Sequence, residues 1–222
     1  MNFIMQNMLL FCLFGIWQIL FFCFNLFGKI NVYSNIRIEN INSSHHAFDK
    51  NIPELWIHQW FEVDSTFSIK RFTKKQVQGI KIQWSTMDNN ILEPFEAILT
   101  FSNDRNLAID LYSYGTIIES RNEKKMVSFS GDTEVQVINF TNKKAGLIYH
   151  ASTYEILQDC FWINNNEFVL LGCTQDSLLT PFIWKYNLRH QTKEIYIYSK
   201  SYTKYCADYF YQKFPIYTKW SE

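Results

Sequence analysis

The chain has 222 residues, enough for one domain or one domain plus an anchor, and its 21 Lys+Arg balance 21 Asp+Glu. Zero formal charge, with no basic cluster longer than Lys70-Arg71 with Lys74-Lys75, or Lys124-Lys125, argues against a nucleic-acid partner. Aromatic residues are 18% of the chain against 7 Gly and 4 Pro, which suits half-buried strands and makes mainly β the expected class.

Residues 8–28, "MLLFCLFGIWQILFFCFNLFG", carry no charged side chain, and about 20 apolar residues cross a bilayer core as a helix. Residues 1–29 are therefore expected to hold an N-terminal hydrophobic helix. It suits first an uncleaved membrane anchor, second a cleaved or lipid-modified export signal, and third a buried helix of a soluble protein. No Lys or Arg precedes the run, so the basic start of a standard signal peptide is missing. Leu20-Phe21-Phe22-Cys23 sets a leucine at the spacing of a lipidated cysteine, but bulky Phe22 fits that pattern poorly, and Cys23 reads as a membrane-embedded thiol. Lys29 and Arg37 follow the run, which by itself favours a cytoplasmic C-terminal part. The expectation adopted is a membrane-associated or exported protein of the cell envelope, with the membrane as a partner through residues 8–28.

Residues 30–52 read as a polar spacer, and 53–222 as a single all-β domain. His45, His46 and Asp49 are possible metal ligands, but adjacent histidines on an extended chain point to opposite sides, so a solvated spacer is the better reading. The sequons at Asn42 and Asn139 matter only in a eukaryotic secretory pathway. "LWIHQWFEV" (55–63) and "QGIKIQWST" (78–86) read as strands, the second with Ile80, Ile82 and Trp84 on one face. Between them, Thr73 and Gln76 have the spacing of a capping box that would start one helical turn.

Further on, period two dominates. "ILTFS" (98–102) and "LAIDLYSY" (107–114) flank the turn-like "NDRN"; "EVQVINF" (134–140) and "AGLIY" (145–149) flank "TNKK". "CFWI" and "EFVLLG" flank Asn164 to Asn166, a tripeptide suited to a three-residue hairpin loop, and apolar residues on both faces of 168–171 place that strand in the interior. Phe182, Trp184, Tyr186 and Leu188 alternate with Ile183, Lys185, Asn187 and Arg189 as in a half-buried strand, and "EIYIY" (194–198) follows as its partner. Residues 201–215 suit a short helix ended by Pro215, packing Tyr205, Tyr209 and Phe210 on the sheet.

Candidate chemistry is sparse. There is no Gly-rich phosphate loop, G-x-S-x-G, H-E-x-x-H or C-x-x-C, so no catalytic residue, cofactor or metal is identified. Cys160 and Cys173 read first as buried free thiols, then as a disulfide, and last as a metal or catalytic pair. Asp104 with Asp110, or Glu93 with Glu96, are the pairs available for acid–base work. Asp104 sits where a side chain commonly caps a turn, and Asp110, inside an apolar strand, needs a partner such as Ser113, Tyr112 or a lysine. His150 and His190 fall at turns without a triad context.

"VINFTNKKAGLIYH" (137–150) aligns with "WKYNLRHQTKEIYIY" (184–198), with Asn139 matching Asn187 at a period of 48, and "FSNDRNLAIDLYS" (101–113) with "WINNNEFVLLG" (162–172). Over residues 101–199 this arrangement of hairpin, connection, hairpin resembles two β-propeller-like blades. Two such units do not close a ring, so antiparallel meanders arranged as blades, a sandwich or a barrel are all compatible. The expected function is a binding or structural role in the cell envelope toward an unknown protein or ligand. The alternative is a hydrolase-type enzyme whose site is assembled only in the fold. A concave site with convergent carboxylates or histidines favours the enzyme, and an aromatic patch favours binding.

Overall fold

The computed structural model describes residues 48–87, 93–121, 124–129, 132–204 and 208–219. The run 8–28 with Cys23, and Asn42, His45, His46 and Tyr205, lie outside the described residues. Among the described residues no helix is long and apolar enough to cross a membrane.

The chain is mainly β. A short 3-10 turn leads into helix α1 (Glu54–Val63), and another leads into β1 (Phe72–Gly79) and β2 (Gln83–Thr86). Then come β3 (Thr100–Phe101), β4 (Leu107–Asp110), β5 (Thr116–Arg121), β6 (Lys124–Phe129), β7 (Thr133–Asn139) and β8 (Lys144–Ala151). β9 (Glu155–Asn164), β10 (Glu167–Gln175), β11 (Leu179–Asn187), β12 (Thr192–Tyr198), helix α2 (Tyr209–Lys213) and β13 (Tyr217–Lys219) complete the order. One sheet runs β1-β12-β11-β10-β9, a second β2-β8-β7-β4-β3, and a small third β13-β6-β5. Neighbouring strands are antiparallel except β13 with β6.

The two large sheets are built alike. The first is a meander of β9 to β12, and the second a meander of β3, β4, β7 and β8 interrupted by the β5–β6 hairpin of the third sheet; β1 and β2, consecutive in the chain, each add one edge strand. Their turns match in detail. Asn139 Oδ1 accepts from Asn142 N (3.0 Å), as Asn187 Oδ1 accepts from His190 N (2.8 Å). Lys143 and Gln191 then take φ of 51° and 50°, and their carbonyls accept from Met87 N (3.0 Å) and Ile80 N (2.8 Å) as the edge strand passes each sheet. Asparagine at the head of a turn bonds its own backbone, which is why the two sites share that residue.

Both faces of the first sheet are covered. Phe182, Trp184 and Tyr186 of β11 point with Phe168, Leu170, Cys160 and Trp162 into the main core, which Ile109, Val135, Val137 and Ile148 of the second sheet complete. Ile183, Val169, Leu171 and Cys173 point the other way, into a core closed by Phe48, Trp56 and Trp60. The strand over 181–189 is therefore buried on both sides rather than half-buried. Phe48 and Ile52, at the end of the stretch read as spacer, are part of this packing.

Four local expectations are corrected. Residues 55–63 form α1, because Trp56, Gln59 and Trp60 recur at helical spacing and bury one face. Residues 73–76 are strand, since pairing of β1 with β12 outweighs the local capping pattern. Residues 78–86 do not form one strand: the chain leaves β1 at Gly79 and joins the other sheet at Gln83, with Trp84 exposed. The hairpin after β9 has a two-residue loop, with Asn164 paired to Glu167 and its Oδ1 accepting from Asn166 N (2.9 Å). Among the described residues the positive-φ positions outside glycine are Arg105, Lys143 and Gln191, none in that loop.

Cys160 pairs across the ladder with Leu170, and Cys173 with Ile156. The thiols lie in different cores on opposite faces of the sheet, both free and buried. Burial pushes both up to about 12, so neither is a thiolate at neutral pH. Thiol titration of the folded, unreduced protein is expected to find both protected and both reactive after unfolding. Replacing both with Ala is expected to cost ~1–3 kcal/mol through the small voids left.

Candidate functional site

Where β4, β9 and α2 come together, a cleft of about 490 Å³ opens beside the small third sheet. Its walls come from the turn after β4 (Leu111, Tyr112, Tyr114), the link from β6 to β7 (Phe129, Asp132, Thr133), the start of β9 (Glu155 to Gln158), Gln175 of β10, and Tyr209, Phe210 and Tyr211 of α2. Lys219 lies on its rim. Phe210 is the hub of the aromatic wall, with Phe129 edge-on at 4.8 Å and Tyr112 edge-on at 5.1 Å. Such edge-to-face pairs hold ring orientation as well as adding contact energy.

The floor is a buried polar network. Asp159, 1% exposed, accepts from its neighbour's amide, Cys160 N (2.7 Å), from Tyr209 OH and from Lys213 Nζ. Tyr112 OH donates to the carbonyl of Gln158, whose Oε1 in turn accepts from Trp56 Nε1 of α1 (2.9 Å). The network thus fixes α1, β9, α2 and the turn after β4 to one another. Burial and the nearby Asp159 carboxylate push the Tyr112 hydroxyl well up, and Tyr209 moves the same way for the same reasons.

Asp110 has the partners its position demanded. Its carboxylate accepts from Ser113 Oγ, Ser113 N (3.0 Å) and Tyr112 N (3.3 Å), while burial, working against these bonds, raises its pKa. It therefore shapes the turn that presents Tyr112 and Tyr114. Asp104 lies at the other end of β4 and caps its turn, accepting from Ser102 Oγ (2.7 Å) and Asn106 N (3.1 Å), and the Ser102 bond holds its pKa below the usual range. The two aspartates are not brought together as an acid–base pair. Glu96 is exposed on a 3-10 segment (Glu93–Ile98), while the Glu93 side chain lies outside the description. His150 stands near the cleft, its ring 6.1 Å from that of Tyr114 and its Nδ1 3.6 Å from Glu134 Oε1. His190 is exposed in the turn after β11. Among the described residues no three His, Cys, Asp or Glu side chains group as a metal would require.

A second feature escaped sequence reading. Lys193 of β12 is 7% exposed, on the strand face it shares with Ile195 and Ile197 of the main core. Its ammonium lies 4.3 Å from the Trp184 ring centre, 4.7 Å from that of Tyr149 and 6.0 Å from that of Tyr186. Burial lowers its pKa from 10.5 to about 8, against a raising influence from Glu155. The unfolded chain thus takes up a proton before the folded one, so stability falls as pH drops from about 10.5 to about 8 and is flat below. The shift corresponds to ~3 kcal/mol, partly offset by cation–π attraction. Lys193→Met is expected to raise stability at pH 7 by ~1–2 kcal/mol. The gap from wild type should close between pH 8 and 10.5, as read by denaturant titrations across that range. A gap independent of pH would contradict the lowered pKa.

Comparison of the chain with protein-family models, with curated proteins and with solved structures gave no match.

Proposed function

We propose that the chain is a membrane-tethered or exported β domain that binds a small organic ligand in the cleft between β4, β9 and α2. The aromatic wall of Tyr112, Tyr114, Phe129, Tyr209, Phe210 and Tyr211 carries this reading, because rigid rings offer large contact area at little entropic cost and a cleft of a few hundred Å³ suits a small molecule. The uncharged run 8–28 supports the tether. The placing of consecutive β1 and β2 at the edges of the two large sheets, and the common core of those sheets, support a sandwich.

Binding is favoured over hydrolysis by how the acidic groups are used. Glu155 accepts from Ser152 Oγ (2.7 Å) and Tyr149 OH (3.3 Å), Asp110 braces a turn, and Asp159 is paired with Lys213. The floor tyrosines and Cys160 are moved up, away from the range in which a general acid or base works at neutral pH.

Thermal-shift screening of the intact protein against a small-molecule library tests the reading. A ligand at 100 times its Kd is expected to add ~2.7 kcal/mol of stability. Tyr114 and Phe129 are 42% and 44% exposed, so Tyr114→Ala and Phe129→Ala should weaken binding without unfolding the chain. Ligands that bind equally well to both variants would place the site elsewhere. Recovery of the full-length chain, N-terminus intact, in the soluble fraction without detergent would refute the tether.

A further inference from the structure

We infer that the ligand of the cleft is a small organic cation, an alkylated ammonium held against ring faces and two carboxylates. The inference rests on the cleft-binding reading and names its ligand class. What the walls offer is set by how their tyrosines are tied down. Tyr112 OH donates to the carbonyl of Gln158, Tyr209 OH to the Asp159 carboxylate, and Tyr211 OH to the carbonyl of Val127 (3.3 Å). Three hydroxyls are thus spent on the protein, and with Phe129 and Phe210 these side chains turn ring surface, not polar groups, toward a ligand. A ring face is the negative part of the aromatic quadrupole, and a phenol that donates its proton to an oxygen acceptor becomes more electron-rich. The same aromatic shell already holds one cation. Lys213 Nζ lies 5.8 Å from the Tyr112 ring centre and 5.1 Å from that of Phe214, which packs on Phe210 at 5.0 Å.

Charge points the same way. Asp132 and Glu155 line the cleft, against one cationic side chain among its described lining residues, Lys219 on the rim. Behind the wall, Asp110 is 4% exposed and accepts from Ser113 and Tyr112, with no cation of the described residues at ion-pair distance. Asp159 is offset by Lys213. An anionic ligand would therefore meet two carboxylates for one lysine. A sugar would need several open hydrogen-bonding groups, but Gln158 is engaged with Trp56 Nε1 (2.9 Å) and Glu155 with Ser152 Oγ (2.7 Å) and Tyr149 OH (3.3 Å). An alkylated ammonium asks only for ring faces and diffuse negative charge, and those are what this cleft supplies.

The full chain, in a nonionic detergent, is titrated calorimetrically with choline and acetylcholine, and with the uncharged isosteres in which a tert-butyl group replaces trimethylammonium. The cations are expected to bind about tenfold more tightly than their isosteres. Phe129→Leu, which keeps apolar bulk but removes a ring, and Asp132→Asn should each weaken the cations severalfold and leave the isosteres nearly unchanged. Lys219→Met should tighten choline by removing a like charge. Phosphocholine separates two sources of the same group: binding tighter than choline that is lost in Lys219→Met assigns the cation to a lipid headgroup, and weaker binding assigns it to a free amine. Isosteres that bind as tightly as the cations, or benzoate binding more tightly than either, would overturn the inference. If no ammonium binds while the library screen still yields a ligand sensitive to Tyr114→Ala, the cation falls and the cleft reading stands. If no ligand of any kind is sensitive to Tyr114→Ala, both fall.

Discussion

Lys213→Met is expected to destabilise the domain by ~3–5 kcal/mol, because it strands the Asp159 carboxylate in a site that is 1% exposed. Lys213 comes from α2 and Asp159 from β9, so the pair joins the C-terminal helix to the first sheet. Two hydrogen bonds remain to Asp159, from Cys160 N (2.7 Å) and Tyr209 OH, but neither supplies a compensating charge. Asp159→Leu combined with Lys213→Met removes both charges and should recover most of the loss, since an apolar pair escapes the desolvation cost of a buried ion pair. Denaturant titrations of the two single variants and the double variant form the test cycle. Additive losses would show that the two groups do not act as a pair.

Trp184→Ala should cost a similar ~3–5 kcal/mol. The indole stacks on Phe182 at 4.1 Å, meets Tyr149 edge-on at 4.9 Å, and has the Lys193 ammonium over its face. Truncation leaves a cavity in the middle of the main core and removes the best cation–π partner of a buried charge. Its neighbour Lys185 points to the opposite face and pairs with Glu167 Oε1 at 3.0 Å, partly shielded from water. Lys185→Ala should therefore cost about 1 kcal/mol, small beside the tryptophan yet not zero. An unchanged melting temperature for Trp184→Ala would contradict the packing described.

The hairpins of the fold were legible because side-chain alternation and turn chemistry agree there. Strands around "TNKK" and "LRHQ" alternate cleanly, and each is stopped by an asparagine that bonds its own turn. Helix α1 was not, because Trp56 and Trp60 are strand formers by composition and their spacing, rather than their type, makes them helical. The capping pattern at Thr73 failed for the opposite reason: a distant strand, β12, claims that backbone. At the cleft, Asp110 stood out as an acid within an apolar strand, and its partners are the serine and backbone amides just beyond it. Asp159 gave no comparable signal, because β9 is irregular opposite the Leu171–Gly172 step, and both Gln158 and Asp159 are buried in spite of alternation. Lys193 was legible only by parity. It falls on the face of Ile195 and Ile197, yet a lysine beside a turn reads as solvated.

The consecutive strands β1 and β2 fasten both large sheets, which sets the order of events when the chain is made. Phe72 pairs with Tyr198, and Gln83 with Leu147. The earliest of the described strands to leave the ribosome must therefore wait for the final strand of each meander, β12 for β1 and β8 for β2. Until then they are unpaired, guarded against stray pairing by the charges of Lys74 and Lys75. Pairing of β1 with β12 is the most non-local strand pairing among the described residues and is expected to come late and limit the rate. Because only Ile80, Lys81 and Ile82 separate β1 from β2, release of one edge strand loosens the anchor of the other, which couples the loss of the two sheets.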